Sequence, residues 1–176
     1  MPSPQTTQCD PRPTIRDALP QDLPAIVAIY NDSIPGRMAT ADLEPVSVES
    51  RLQWFHNHDP RHHPIWVATI QQQISAWISI QPFYGRPAYR HTAEVSLYVS
   101  PTHRRMGIAG KLLTRIIKRC PELGISTLLS FVFAHNQPSI RLNEKFGFKQ
   151  WGRLPGVAEL DRIERDLLIL GRRVDG

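Results

Sequence analysis

SPTHRRMGIAGKLL, residues 100–113, joins the end of an apolar strand pattern to the start of an amphipathic helix pattern. The N-terminus of a helix carries partial positive charge and disfavours cations. His103, Arg104 and Arg105 nevertheless stand immediately before Gly107, Ala109 and Gly110. A polyanion bound at this turn removes the conflict. Small residues let backbone N–H groups approach a ligand closely, and the arginines add charge-assisted bonds. The competing explanation is a solvated turn ahead of an ordinary helix. The stretch is not a Walker A loop, because Arg105 stands where that pattern needs its first glycine and Leu112 where it needs Ser or Thr. Nor does it read GxGxxG.

Working outward, AEVSLYVS (93–100) reads as the strand that feeds this turn. After it the spacing predicts a helix over about 107–119. Ile108, Leu112 and Ile116 line one side, and Lys111, Arg115 and Lys118 the other. Upstream, IWVATI (65–70) and ISAWISI (74–80), separated only by glutamines, predict a hairpin. Thr14–Leu19 reads as a first strand. Asp22–Ile34, with Leu23, Ile26, Val27 and Tyr30 at helical spacing, reads as a helix stopped by Pro35-Gly36. Val46–His58 reads as a second helix with Val48, Leu52 and Phe55 on one face. Downstream, Ser126–Phe133 reads as a buried strand. Asn136 then fits an N-cap, Pro138 an early helix position and Gly147 a C-terminal cap. Two final strands are expected near 148–154 and 163–170. The order predicts an α/β fold with a mixed, largely antiparallel central sheet and helices on both faces.

A chain of 176 residues, 41% hydrophobic and 21% charged, suits one domain with a sizeable core. We expect residues 1–12 to form a Pro-rich mobile tail and 13–176 a single domain. There is no run of about 18 apolar residues for a membrane span, and MPSPQTTQCDPRP lacks the apolar core of a secretory signal. Two cysteines, Cys9 and Cys120, make no disulfide framework, so the reducing cytoplasm is the expected compartment. The net charge of +5 admits nucleic acid, acidic membranes or anionic small ligands as partners. No nucleic-acid motif with interleaved aromatics accompanies it. The histidines of HNHDPRHHP, residues 56–64, have turn-rich surroundings and no helix-face spacing, and predict a solvated loop rather than a metal site.

Two motifs together carry a resemblance. Arg104-Arg105-Met106-Gly107-Ile108-Ala109, between strand and helix, is followed about 30 residues later by Asn136-x-x-Ser139-x-x-Leu142-x-Glu144-Lys145-x-Gly147-Phe148. This resembles the GNAT superfamily of acetyl-CoA-dependent N-acetyltransferases, and the order of elements matches from about Thr14 to Leu170. Tyr30-Asn31, Trp54-Phe55 and the run from Arg86 to Val99 look like the phosphinothricin / methionine-sulfoximine acetyltransferase subgroup.

The resemblance implies that the anion is the pyrophosphate of coenzyme A, held by the turn from Arg104 through Arg105, Met106, Gly107, Ile108, Ala109 and Gly110 to Lys111, with Asn136 and Ser139 also on the cofactor. It implies that the backbone of Leu97, Tyr98 and Val99 pairs with the pantetheine arm, and that Glu94 is the base. Glu94 is the one acidic residue in its strand. An attacking ammonium must lose its proton, and a partly buried carboxylate beside the cofactor could take it. Without the family match, an outward surface glutamate is the plain alternative. Arg86 and Tyr89, with Asn31 and Thr40, are implied to hold a small amino-acid-like amine, Arg86 as a bidentate fork.

No metal, nucleic acid or membrane partner is implied, and a homodimer is expected. The alternatives are another acceptor amine (a protein N-terminus, a lysine or a polyamine) or a non-catalytic acyl-CoA sensor. Two positions depart from the family. Asn143 stands where many relatives have a tyrosine thought to protonate the departing thiolate, and Val95 where close relatives often have histidine.

Overall fold

The computed structural model describes residues 12–174. The tail expected over 1–12 lies outside the described residues save for Arg12, as does Cys9. Seven strands form one sheet in the order β1-β2-β3-β4-β5-β7-β6. They are β1 (Thr14–Asp17), β2 (Ile65–Ile70), β3 (Gln73–Pro82), β4 (Thr92–Val99), β5 (Thr127–Phe133), β6 (Lys149–Leu160) and β7 (Ile163–Arg173). Only β4 and β5 run parallel; the other neighbours are antiparallel. The helices are α1 (Leu23–Asn31), α2 (Val48–His56), α3 (Ile108–Arg119) and α4 (Gln137–Lys145).

The helices cover both faces of the sheet, as expected. Successive side chains of a strand point to opposite faces. Trp66, Ala68, Ile78, Ile80, Ala93 and Val95 therefore meet Ile108, Leu112 and Ile116 of α3 and Ile140 of α4 in the larger core. Ile65, Val67 and Trp77 turn the other way and meet Ile26 and Ile29 of α1.

Four details differ from the sequence expectations. First, α1 ends at Asn31, because the Ser33 hydroxyl donates to the Tyr30 carbonyl at 2.6 Å and competes with the helical ladder. Second, α2 starts at Val48 behind a Ser47 cap, whose hydroxyl accepts from Ser50 N at 3.1 Å. Third, Leu52 of α2 is exposed, and Trp54 takes the inward place, its ring 5.6 Å from that of Trp77. Fourth, β6 continues to Leu160 through Pro155 and Gly156, which read as breakers. It is an edge strand, and the register shift between Leu154 and Ala158 absorbs them.

Between β1 and α1, Asp22 is buried and accepts from both Arg16 Nη1 (2.5 Å) and Nη2 (2.9 Å), and from Leu19 N (2.7 Å). The Arg16 bond holds the Asp22 carboxyl below the usual range against the opposing effect of burial. A depressed folded-state pKa contributes stability that is present above the unfolded value and is lost as pH falls through the folded one. Arg16→Gln is expected to lower stability at neutral pH by about 1–3 kcal/mol. The lower part of that span is expected because the Arg16 side chain is 38% exposed and screened by solvent. The midpoint of acid unfolding should rise. Urea unfolding at pH 7 and an acid titration followed by circular dichroism check both, and an unmoved acid midpoint would remove the pair from the stability account.

Candidate active site

The parallel ladder between β4 and β5 covers only Thr92↔Thr127, Ala93↔Leu128 and Glu94↔Leu129. Beyond Glu94, β4 stays paired with β3 as far as Val99, while β5 pairs with β7. Residues 95–99 thus present an open backbone edge inside the sheet, and Leu97, Tyr98 and Val99 lie on it. An extended chain with amide groups can complete such an edge, as an added strand would.

The open edge leads to the N-terminus of α3. Gly107, at φ +75°, is the cap residue and supplies no side-chain cap. The first helical bond runs from Lys111 N to Gly107 O at 3.2 Å, so the N–H groups of Ile108, Ala109 and Gly110 have no helical acceptor. Arg104, Arg105 and Met106 are exposed beside them, with Arg105 also at positive φ (63°). Free N–H groups with flanking cations are the arrangement that suits an anion at a helix N-terminus. Gly110 has a further reason to be small: a Cβ there would lie 3.3 Å from Phe146 Cζ.

On the α1–α2 face, the register places Gln81 beside Glu94, Ser79 beside Ser96 and Trp77 beside Tyr98. These six side chains, with Ile26, Val27, Tyr30, Val46, Arg51 and Trp54, enclose a cavity of about 240 Å³. Gln81 Nε2 donates to Glu94 Oε2 at 3.1 Å, which leaves Oε1 without a partner among the described residues. Tyr98 stacks on Trp77 at 4.7 Å and donates its hydroxyl to Ala39 O at 3.2 Å. Burial pushes the Tyr98 hydroxyl well above its ordinary pKa, and burial with the Asp42 bond raises that of Tyr30. Both are neutral hydrogen-bond donors at physiological pH. Tyr30 donates to Asp42 Oδ2 at 2.5 Å and meets the Thr40 hydroxyl.

The structure brings Glu94 and the Tyr98 side chain together at this cavity, with Thr40 behind Tyr30. Asn31 lies just outside: its amide donates to Val46 O (2.9 Å) and accepts from Val46 N (3.0 Å), fixing one cavity wall. Asn136 Oδ1 caps α4 by accepting from Ser139 N (3.2 Å), and its Nδ2 donates to Met38 O (2.9 Å). Arg86 and Tyr89 sit apart in the exposed β3–β4 loop, where the Tyr89 ring packs 5.5 Å from Phe83. Asn143 is buried and donates to Ser139 O at 2.9 Å. Val95 is buried on the α3 face. Among the histidines of the 56–64 loop, His58 Nδ1 bonds Trp54 O (2.7 Å) and His62 pairs with Asp59. Trp77, Gln81, Arg51 and the Tyr98 side chain went unread as site residues. The first two and Tyr98 follow from period-two alternation once the β3–β4 register is known; Arg51 carries no local signal.

The profile of the acetyltransferase (GNAT) family matches residues 23–148. A Bacillus subtilis protein provisionally named phosphinothricin acetyltransferase is 48% identical, over 92% of this chain and 99% of its own. The L-methionine sulfoximine/L-methionine sulfone acetyltransferase of Pseudomonas aeruginosa is 33% identical, over 83% of this chain and 86% of its own. The crystal structure of a phosphinothricin acetyltransferase from Sinorhizobium meliloti in complex with acetyl-CoA superposes with a TM-score of 0.87 at 28% identity, covering 92% and 88% of the two chains.

The α3 turn yields a direct test. Space around Gly107 is open, and Asp and Asn tolerate positive φ better than other side chains. Gly107→Asp is expected to weaken coenzyme A binding by about tenfold or more through like-charge repulsion. Gly107→Asn, equal in shape but neutral, should weaken it far less. Calorimetric titration of both folded variants decides, and wild-type affinity in Gly107→Asp would take the pyrophosphate away from this turn.

Proposed function

The chain belongs to the GNAT family of acetyltransferases, an acetyl-CoA-dependent N-acetyltransferase, and from that premise we propose that its acceptor is the primary amine of a small amino acid or analogue of the phosphinothricin, methionine sulfoximine or methionine sulfone kind. The observation that carries this reading is the cavity of about 240 Å³ that ends on Glu94, the last paired residue before the open edge of β4. That volume is below the roughly 300–1,000 Å³ of drug-sized ligand sites and favours a small acceptor.

The donor substrate supplies an activated thioester. The residues proposed to hold it are the open edge at Leu97–Val99 and the α3 turn, with the Asn136–Ser139 cap at the far wall. Glu94, steadied by Gln81, takes the proton of the incoming ammonium directly or through water, because only the neutral amine is a nucleophile. Backbone N–H groups of the Glu94–Val99 strand stabilise the developing oxyanion. Attack is direct. Cys120 is buried and burial pushes its thiol up to about 12, so it is no candidate for a covalent acetyl carrier. Asn143, an amide already bonded to Ser139 O, has no proton to give the departing thiolate, which leaves as the anion or is met by water. Arg86 and Tyr89 lie in the exposed β3–β4 loop and do not line the cavity.

Glu94→Gln is expected to lower turnover by roughly 10²–10⁴-fold while acetyl-CoA affinity stays near wild type. Steady-state thiol release together with calorimetry tests this, and full turnover in the variant would reject the role. Absence of amine-dependent thiol release in the wild-type protein would favour an acyl-CoA sensor instead.

We also propose a cytoplasmic homodimer built by the domain of residues 13–176. Among the described residues no helix is long and apolar enough to cross a membrane. Edge strand β6 exposes Trp151, Leu154 and Val157, and the first residue of β7 exposes Ile163, an apolar group of side chains that a second copy would cover. Light scattering after size exclusion should give twice the 20.1 kDa chain mass, and Val157→Asp should return it to the monomer value. A monomer in the wild type would refute the assembly.

A further inference from the structure

Among the described residues, only two charged side chains line the cavity, Glu94 and Arg51. We propose that Arg51 binds the acceptor's carboxylate and so sets a preference for amino acids over plain amines; this rests on the small-amino-acid reading above. An amino acid carries an ammonium and a carboxylate. The cavity offers one anion and one cation, with the stacked rings of Trp77 and Tyr98 also in its lining. An ammonium at Glu94 leaves the carboxylate for Arg51.

Arg51 is built for that contact. Its Cζ lies 4.8 Å from the Tyr30 ring centroid, so the guanidinium is stacked. Its Nη2 donates to Asp42 Oδ2 at 2.9 Å, and the same Asp42 oxygen accepts from Tyr30 OH at 2.5 Å. These bonds fix the plane of the fork yet use one of its five N–H donors. The rest have no acceptor among the described residues. Asp42 balances the cation, so recognition comes from directed hydrogen bonds on a held fork rather than from excess charge.

Arg86, the fork expected from sequence, is exposed and does not line the cavity. Contacts of exposed charges are screened and contribute little. The Arg51 side chain is 30% exposed, and a hydrogen bond in its partly dry surroundings is stronger.

The test compares methionine sulfone with its carboxamide, which keeps the α-amine and loses the carboxylate charge. Thiol release gives kcat/KM for each substrate in wild type, Arg51→Gln, Arg51→Lys and Arg86→Ala. The readout is the acid-to-amide ratio relative to wild type, so intrinsic amine basicity cancels. Arg51→Gln is expected to lower that ratio roughly ten- to a hundredfold, through the KM of the acid, with the carboxamide nearly unaffected. Arg51→Lys should recover part of the ratio and guards against a Gln variant that folds poorly. Arg86→Ala should leave it in place. If Arg51→Gln and Arg51→Lys slow both substrates equally, Arg51 only supports the fold and the proposal is overturned. Collapse of the ratio in Arg86→Ala overturns it as well. A wild-type enzyme that acetylates neither compound but does acetylate a peptide N-terminus or a lysine overturns the small-acceptor reading beneath it.

Discussion

Everything in the site follows from the end of the β4–β5 ladder at Glu94. Three residue pairs join the strands, and then they part. A backbone edge within a sheet is costly unless its N–H and C=O groups find partners. The usual remedy is another strand, but β5 is taken up by β7 and β4 keeps only β3. Water or an extended ligand must therefore meet the edge. The strand that carries this edge also carries the cavity on its α1–α2 face, and the α3 N-terminus follows it in the chain. The proposed donor groove, acceptor cavity and anion turn thus share one strand. Glu94 stands where that strand is still held on both sides, and its carboxylate accepts from Gln81 at the point where the sheet opens.

A second constraint ties the walls of the two proposed sites together. The segment between α1 and α2 presents three successive carbonyls to the cleft. Arg37 O meets His135 Nε2 at 2.7 Å, Met38 O accepts from Asn136 Nδ2 at 2.9 Å, and Ala39 O accepts from Tyr98 OH at 3.2 Å. The partners come from the end of β5, the cap of α4 and the open edge of β4. Thr40 and Asp42, the next side chains, hold Tyr30 and Arg51 at the cavity. A shift of the β5–α4 junction is therefore transmitted to the cavity wall through hydrogen bonds that tolerate little change in length. Asn136 serves both sides with one amide, the oxygen for α4 and the nitrogen for the strap.

The parts legible in the sequence are those set by local physics. α3 was readable because Ile108, Leu112 and Ile116 repeat at helical spacing and are all nearly fully buried. The α4 cap was readable because Asn136 acts on its own helix. Properties that depend on tertiary neighbours were not. Leu52 and Trp54 both fit an inward face of α2, and only Trp77 opposite decides between them. Pro155-Gly156 breaks an interior strand but not an edge strand, and being an edge is a property of the whole sheet. The cavity needs the β3–β4 register, which depends on both ends of a nine-residue loop between Pro82 and Thr92. Arg51 meets Tyr30 and Asp42 from another element, so no spacing announces it.

The two departures from the family motifs now acquire a place. Val95 follows Glu94 in β4, and the pleat sends it to the opposite face, where it is buried in the α3 core beside Ile80. Asn143 lies in α4, whose apolar residues Ile140 and Leu142, with Phe146 at the C-cap, join that same core. Neither side chain lines the acceptor cavity. A substitution at 95 can reach the acceptor only by moving β4 itself, and one at 143 only through the α4 cap and the strap. On the proposed assignment, the chemistry that selects an acceptor is confined to one face of the sheet, where Arg51 and Glu94 are the charged groups lining the cavity among the described residues. The opposite face can vary in packing and in the fate of the thiolate without altering the surface that the amine meets.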